Sequence, residues 1–205
     1  MKLQKLGGFA SMALGLILAI FVVLMLLGIL EQFNYENPVK SLESASSSPV
    51  REFTSNLLVV LGSIAAVLLV LGVRDRMEKM APNLMRIVVI CGAIGGALWL
   101  TAALTGITGV PEILNAKDAS AYMAMMALVD GLEGACEHAL GWALLLICWV
   151  TLKNRDLPKM LSYILGFKGV VMIVTFGMYP LQLAGVILGI ISYPWLGIML
   201  LRGKS

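Results

Sequence analysis

Charge is scarce in this chain of 205 residues. Asp, Glu, Lys and Arg make up 13% of it against 60% hydrophobic residues, a balance that excludes an ordinary soluble core and points to an integral membrane protein. Cysteine is nearly as sparse. Cys91, Cys136 and Cys148 fall in separate apolar stretches with no CxxC spacing, which excludes a disulfide framework and a zinc site and leaves them as small packing residues. There is one histidine, His138. Di-iron bundle chemistry needs a Glu-x-x-His pair on each of two helices, and here Glu133 is followed three residues later by Cys136. No helix-turn-helix, Rossmann or P-loop pattern is present, and no internal repeat. The net charge of +3 comes from basic residues at the ends of apolar runs, so no nucleic-acid partner is expected.

What the chain has instead is long apolar runs. The first, about residues 6–30, carries no charge and is long enough to cross a hydrocarbon core of about 30 Å. Lys2 and Lys5 resemble the basic end of a signal peptide. The run is too long for one and lacks a small-x-small cleavage pattern, so an uncleaved anchor is expected. A Ser-, Pro- and Glu-containing stretch at 31–52 reads as a polar outer loop. Further spans are expected at about 53–73, 86–110, 120–152, 160–179 and 182–201, the last two divided at Pro180. "PEILNAKDAS" reads as a short return loop. The predicted architecture is all-α: six transmembrane helices in one bundle forming a single domain, 1–205.

Six crossings put both termini on one side. Lys2, Lys5, Arg74, Arg76, Lys79, Arg86, Lys153, Arg155, Lys159, Arg202 and Lys204 fall on that side, against Lys40, Arg51 and Lys117 on the other. The positive-inside rule makes the terminal side cytoplasmic. Small residues at four-residue spacing suggest close helix contacts: Gly7, Ser11 and Gly15 in span one, Cys91 and Gly95 with Gly92 and Gly96 in span three, Gly185 and Gly189 in span six. They are expected to pack within the chain. Pro194 should kink span six, with Ser192 placed to bond a freed carbonyl.

The residues that bear chemistry lie in "LVDGLEGACEHALGW". At about 100° per residue, Asp130, Glu133 and Glu137 share an arc of about 60°, which continues through Gly141, Leu144 and Cys148, whereas His138 points elsewhere. Counted from Leu152, Glu137 lies about 22 Å deep and Asp130 about 33 Å, near the far boundary. Lys168 is the one basic residue inside a span, about 13 Å deep, on a face with Ile164, Met172, Thr175 and Tyr179. Ionisable residues within a span are costly and mark candidate functional sites. A buried polar seam of Asp130, Glu133, Glu137, His138, Lys168, Thr175 and Tyr179 is therefore expected, in which either Glu137 pairs with Lys168, or Lys168 snorkels to the cytoplasmic headgroups and Glu137 is protonated or hydrated in a cavity.

Three function classes meet this seam. In an accessory or partner-binding subunit the seam would satisfy another membrane protein or a second copy of the chain. In the alternative, a small proton- or cation-coupled transporter, Glu137 and Lys168 would load and release charge. An intramembrane hydrolase acting through Glu137 and His138 would need convergent side chains, and on a regular helix these diverge by about 100°. The reading is therefore not an enzyme. Met123, Met126, Cys136 and His138 are soft copper ligands by type, but methionines in a membrane chain are more often filler, so no metal or cofactor is assigned.

"GWALLLICWVTLKNRDLPKMLSYILGFKGVVMIV" and "IISYPWLGIMLLRGK" resemble the last three spans of a bacterial group of six-span membrane proteins known only as a domain of unknown function. The likeness lies in the basic turn with Leu157 and Pro158, the Gly-bearing span after it, and the final Trp195, Leu196, Gly197 and basic tail. It covers the C-terminal third. The resemblance implies an all-helical bundle in a bacterial plasma membrane and assigns no catalytic residue.

Overall fold

The computed structural model describes residues 3–27, 37–174 and 179–202, with residues 179–181 described by backbone alone. These form helices α1 (Leu3–Leu26), α2 (Pro38–Ser47), α3 (Pro49–Met77), α4 (Pro82–Ala116), α5 (Ala119–Asn154), α6 (Lys159–Val174) and α7 (Tyr179–Arg202). The fold is all-α. Five of the helices are long and apolar enough to cross a membrane: α1, α3, α4, α5 and α7 over Gln182–Arg202. In place of the span expected at 160–179, the described residues show α6, whose 16 residues rise only about 24 Å.

Apart from α2, helices adjacent in sequence are adjacent in space, and α1 closes the circuit by packing between α7 and α3. The contacts are as close as the small residues suggest, and they are made within the chain. Gly7 meets Gly72 of α3, Gly8 meets Gly197 of α7, and Gly15 receives the ring of Pro194. In α4, Gly92 and Gly96 accept Val70 and Val67 of α3, while Gly95 accepts Leu140 of α5. A side chain at these positions would hold the helices apart, and in an apolar solvent close packing replaces the hydrophobic drive. The main core runs through the circuit, with Val73, Met77, Met85, Val88, Ile147, Leu161, Leu165, Leu196 and Leu200 fully enclosed.

Three local expectations need correction. The stretch 31–52 is not wholly irregular: Asn37 accepts a hydrogen bond from the Lys40 amide, Pro38 opens α2, and α3 begins at Pro49. Leu42 and Ala45, three apart on α2, bury themselves with Val110 and Tyr122 in a second small core at the far end of the bundle. The return loop begins late, because α4 continues through Pro111 to Ala116 and ends at Lys117 in the left-handed conformation (φ 55°). Val110, Ile113 and Leu114 pack into that second core, which offsets the hydrogen bond Pro111 removes. Finally, Ser192 is buried and its hydroxyl has no partner among the described residues. Near Pro194 it is Ser11 of α1 that donates to the Tyr193 carbonyl, at 2.6 Å.

The end of the bundle that holds α1's start and α7's finish is tied by polar contacts. Arg76 of α3, counted above among the basic residues of the terminal side, is buried: Nε donates to Asp156 Oδ2 at 2.6 Å, and its two terminal nitrogens donate to the Met199 and Asp156 carbonyls. One guanidinium thus joins α3, the turn after α5, and α7. Gln4 adds a second tie, its amide donating to Asp75 at 3.0 Å and its side chain to the Leu200 carbonyl at 2.8 Å. Asp75 also places negative charge at the positive end of α1. Deeper in, the Thr151 and Ser162 hydroxyls bond across α5 and α6 at 2.8 Å. The side chains of Arg76 and Asp156 are only 4% and 5% exposed, so Arg76→Ala breaks a buried ion pair and the tie to the Met199 carbonyl. It should cost about 3–5 kcal/mol in equilibrium unfolding in mixed micelles. A loss below about 1 kcal/mol would show that the contact is ornamental.

Candidate functional site

The site grows from one helix crossing. Gly141 of α5 and Gly169 of α6 lie backbone to backbone, so that a Cβ on either would sit 2.8 Å from the other's carbonyl oxygen. One turn further toward the termini, Gly166 takes the side chain of Cys148. The α5 face of Gly141, Leu145 and Cys148 is therefore the face that meets α6. Lys168 precedes Gly169 and is rotated about 100° from it, which turns its side chain away from α5 and toward α7.

There the ammonium is 4% exposed. Nζ donates to the Gly185 carbonyl at 2.6 Å and stands 5.1 Å from the centre of the Tyr193 ring. The absence of a side chain at Gly189 makes room for it, since a Cβ at that position would lie 3.1 Å from Nζ. A buried cation must be hydrogen-bonded or paired, and this one has a carbonyl and an aromatic face. It does not snorkel toward the bundle end.

The expected direct pair with Glu137 is not formed. Among the described residues no salt bridge joins the two, although they lie within coulombic range of each other, and Glu137 also lies within range of Tyr193. The glycine crossing explains this: α6 approaches α5 through Gly169, and Lys168 is spent on α7. The acids do form a run, as their spacing on a helix requires, with Glu133 inside the fields of Asp130 and Glu137. Glu133 and Glu137 are half-buried and Asp130 is exposed. Cys136, buried at 2% exposure, lies in the fields of Glu133 and Glu137.

These acids occupy the continuation of the α6-facing stripe beyond Gly141. Gly141 is met by Ile173, the penultimate residue of α6. Beyond it, Gly134 and Gly131 have no described neighbour within 4 Å. His138 turns away from the run, accepting a hydrogen bond at Nε2 from Trp142 Nε1 at 3.2 Å with the rings edge to face. It belongs to another face of α5. Among the described residues no three His, Cys, Asp or Glu side chains converge as a metal would require. Of the remaining candidates, Thr175 lies outside the described residues. Tyr179 opens α7 instead of continuing α6, and its side chain is likewise not described.

The seam thus brings together Glu133, Cys136, Glu137, Lys168 and Tyr193. Tyr193 and the Gly185 carbonyl were not anticipated. A tyrosine one residue before Pro194 is the only sequence signal for the first, and a backbone carbonyl has none. Comparison of the chain with protein-family models, with curated proteins and with solved structures finds no match. Since the two charges interact without touching, a Glu137→Gln, Lys168→Met double-mutant cycle should give a coupling of about 0.5–1 kcal/mol in unfolding free energy. A coupling near zero would show the charges insulated from each other, and one of about 3 kcal/mol would require a direct pair.

Proposed function

We propose that this chain is an accessory or partner-binding subunit of a bacterial plasma membrane, crossing it six times with both termini cytoplasmic. The eleven-to-three division of basic residues named above supports that orientation. The likeness of the C-terminal third to the bacterial six-span group supports the setting. The sixth crossing in this reading is the segment that contains α6. Tyr163, Phe167, Val170 and Val174 are exposed on its outer side, as on a helix facing acyl chains, while Leu161, Leu165 and Val171 are buried.

The observation that carries the partner-binding reading is the glycine-bearing acidic stretch of α5. A stripe that packs tightly on α6 at Gly141 goes on beyond that contact with three carboxylates, of which Asp130 is exposed and Glu133 and Glu137 are half-buried, and with Gly131 and Gly134, which have no described neighbour within 4 Å. Carboxylates in a low-dielectric setting demand a proton, a cation or a polar partner. A helix of another subunit, approaching over Gly131 and Gly134 with a basic or amide side chain, would meet that demand with the close approach small residues permit.

The transporter reading has one feature in its favour: Glu137 and Lys168 feel each other without being locked together, an arrangement in which a passing proton or cation changes the balance. Co-purification from the native membrane in mild detergent separates the two. A fixed partner at constant stoichiometry, retained at least fivefold less by a Glu133→Gln, Glu137→Gln variant, is the expected result. A lone protein that gives substrate-dependent proton flux in liposomes, abolished by Glu137→Gln, would replace this reading with the transporter.

A further inference from the structure

At the end of the bundle away from the termini, α2, α3 and α4 enclose a crevice of about 210 Å³. It is separate from the seam. Its walls are apolar, with Phe53, Val110, Pro111 and Leu114 among them, and its polar groups are Glu52, Ser46 and Asn115. No lysine or arginine lines it.

The polar groups are biased toward accepting. Pro111 has no N–H to offer the carbonyl of Ile107, the residue one turn back, and both residues line the crevice. Ser46 spends its proton on the Leu42 carbonyl at 2.7 Å, leaving lone pairs. Glu52 is the one ionic group in the lining, and its contact with Arg51 is a single one at 3.5 Å, long for a charge-assisted bond. It sits in the first turn of α3, where it offsets the positive end of that helix, while the last turn of α4 supplies the negative end of another.

We propose that this crevice binds an organic ammonium group, carried by the headgroup of a bilayer lipid or by a free small amine. The carboxylate and the freed carbonyl receive the cation, and the Phe53 face with the proline and leucine walls receives its alkyl substituents. The volume is that of roughly seven waters at about 30 Å³ each, the size of such a group and not of a whole lipid. The depth agrees. Phe53 stands about 36 Å along α3 from Met77, just beyond a hydrocarbon core of about 30 Å, at the level of headgroups.

The test uses the full chain in detergent, titrated calorimetrically with tetramethylammonium and ethylammonium chloride against a potassium chloride control. In parallel, native mass spectrometry follows retention of phosphatidylcholine, phosphatidylethanolamine and phosphatidylglycerol. Saturable binding of a free ammonium probe identifies a soluble amine as the source, and selective retention of the amine-bearing lipids alone identifies the bilayer; either supports the proposal. Glu52→Gln should weaken the binding tenfold or more. Pro111→Ala, whose new N–H reclaims the Ile107 carbonyl without disturbing an already continuous helix, should weaken it about threefold, and it decides the matter if Glu52→Gln does not fold. Absence of binding by every probe, or binding equal in the wild type and both variants, overturns the proposal.

Discussion

The crossing of α5 and α6 at Gly141 and Gly169 governs where every charged group of the seam goes. Two backbones in contact leave no room for side chains between them, so the residues flanking each glycine are rotated to the sides. On α6 this sends Lys168 to the Gly185 carbonyl and the Tyr193 ring. On α5 it places Glu137 just beyond the contact, close enough to sense the ammonium and too far round to bond it. The acids and the lysine thus share a field without sharing a hydrogen bond.

Elsewhere the protein admits a full charge into its interior where all three nitrogens of a guanidinium find an acceptor. Arg76 does this at the bundle end, with a carboxylate and two carbonyls around one planar group, a geometry that suits guanidinium better than a lysine ammonium. Lys168, a point charge on a flexible stem, takes a carbonyl and an aromatic face instead. The two sites differ in consequence. The Arg76 cluster is closed and structural, tying three chain segments together, whereas the seam leaves two half-buried carboxylates with no hydrogen-bond donor among the described residues.

Helix length completes the arrangement. At 35 and 36 residues, α4 and α5 rise about 50 Å, while the 16 residues of α6 rise about half that. The excess of α4 and α5, with α2 and the start of α3, forms an upper tier with its own small core. Both the acids of α5 and the crevice between α2, α3 and α4 lie toward that end.

Much of this was legible in the residues alone. Apolar run length determines that the chain is helical and membrane-crossing, because unsatisfied backbone in lipid permits little else. The 100° step of a helix determines that Asp130, Glu133 and Glu137 share a face and that His138 does not. Four-residue spacing of small residues marks the close contacts, since packing in lipid depends on backbone approach. Only the tertiary structure decided which contacts those residues make: that Gly169 and not Lys168 faces α5, that Arg76 is buried against Asp156, and that Leu42 and Ala45 draw a helix out of an apparent loop. Sequence periodicity gives each helix its stripes without their rotation about the axis. That rotation is set by the partner helices, through contacts between residues as far apart as 196 positions.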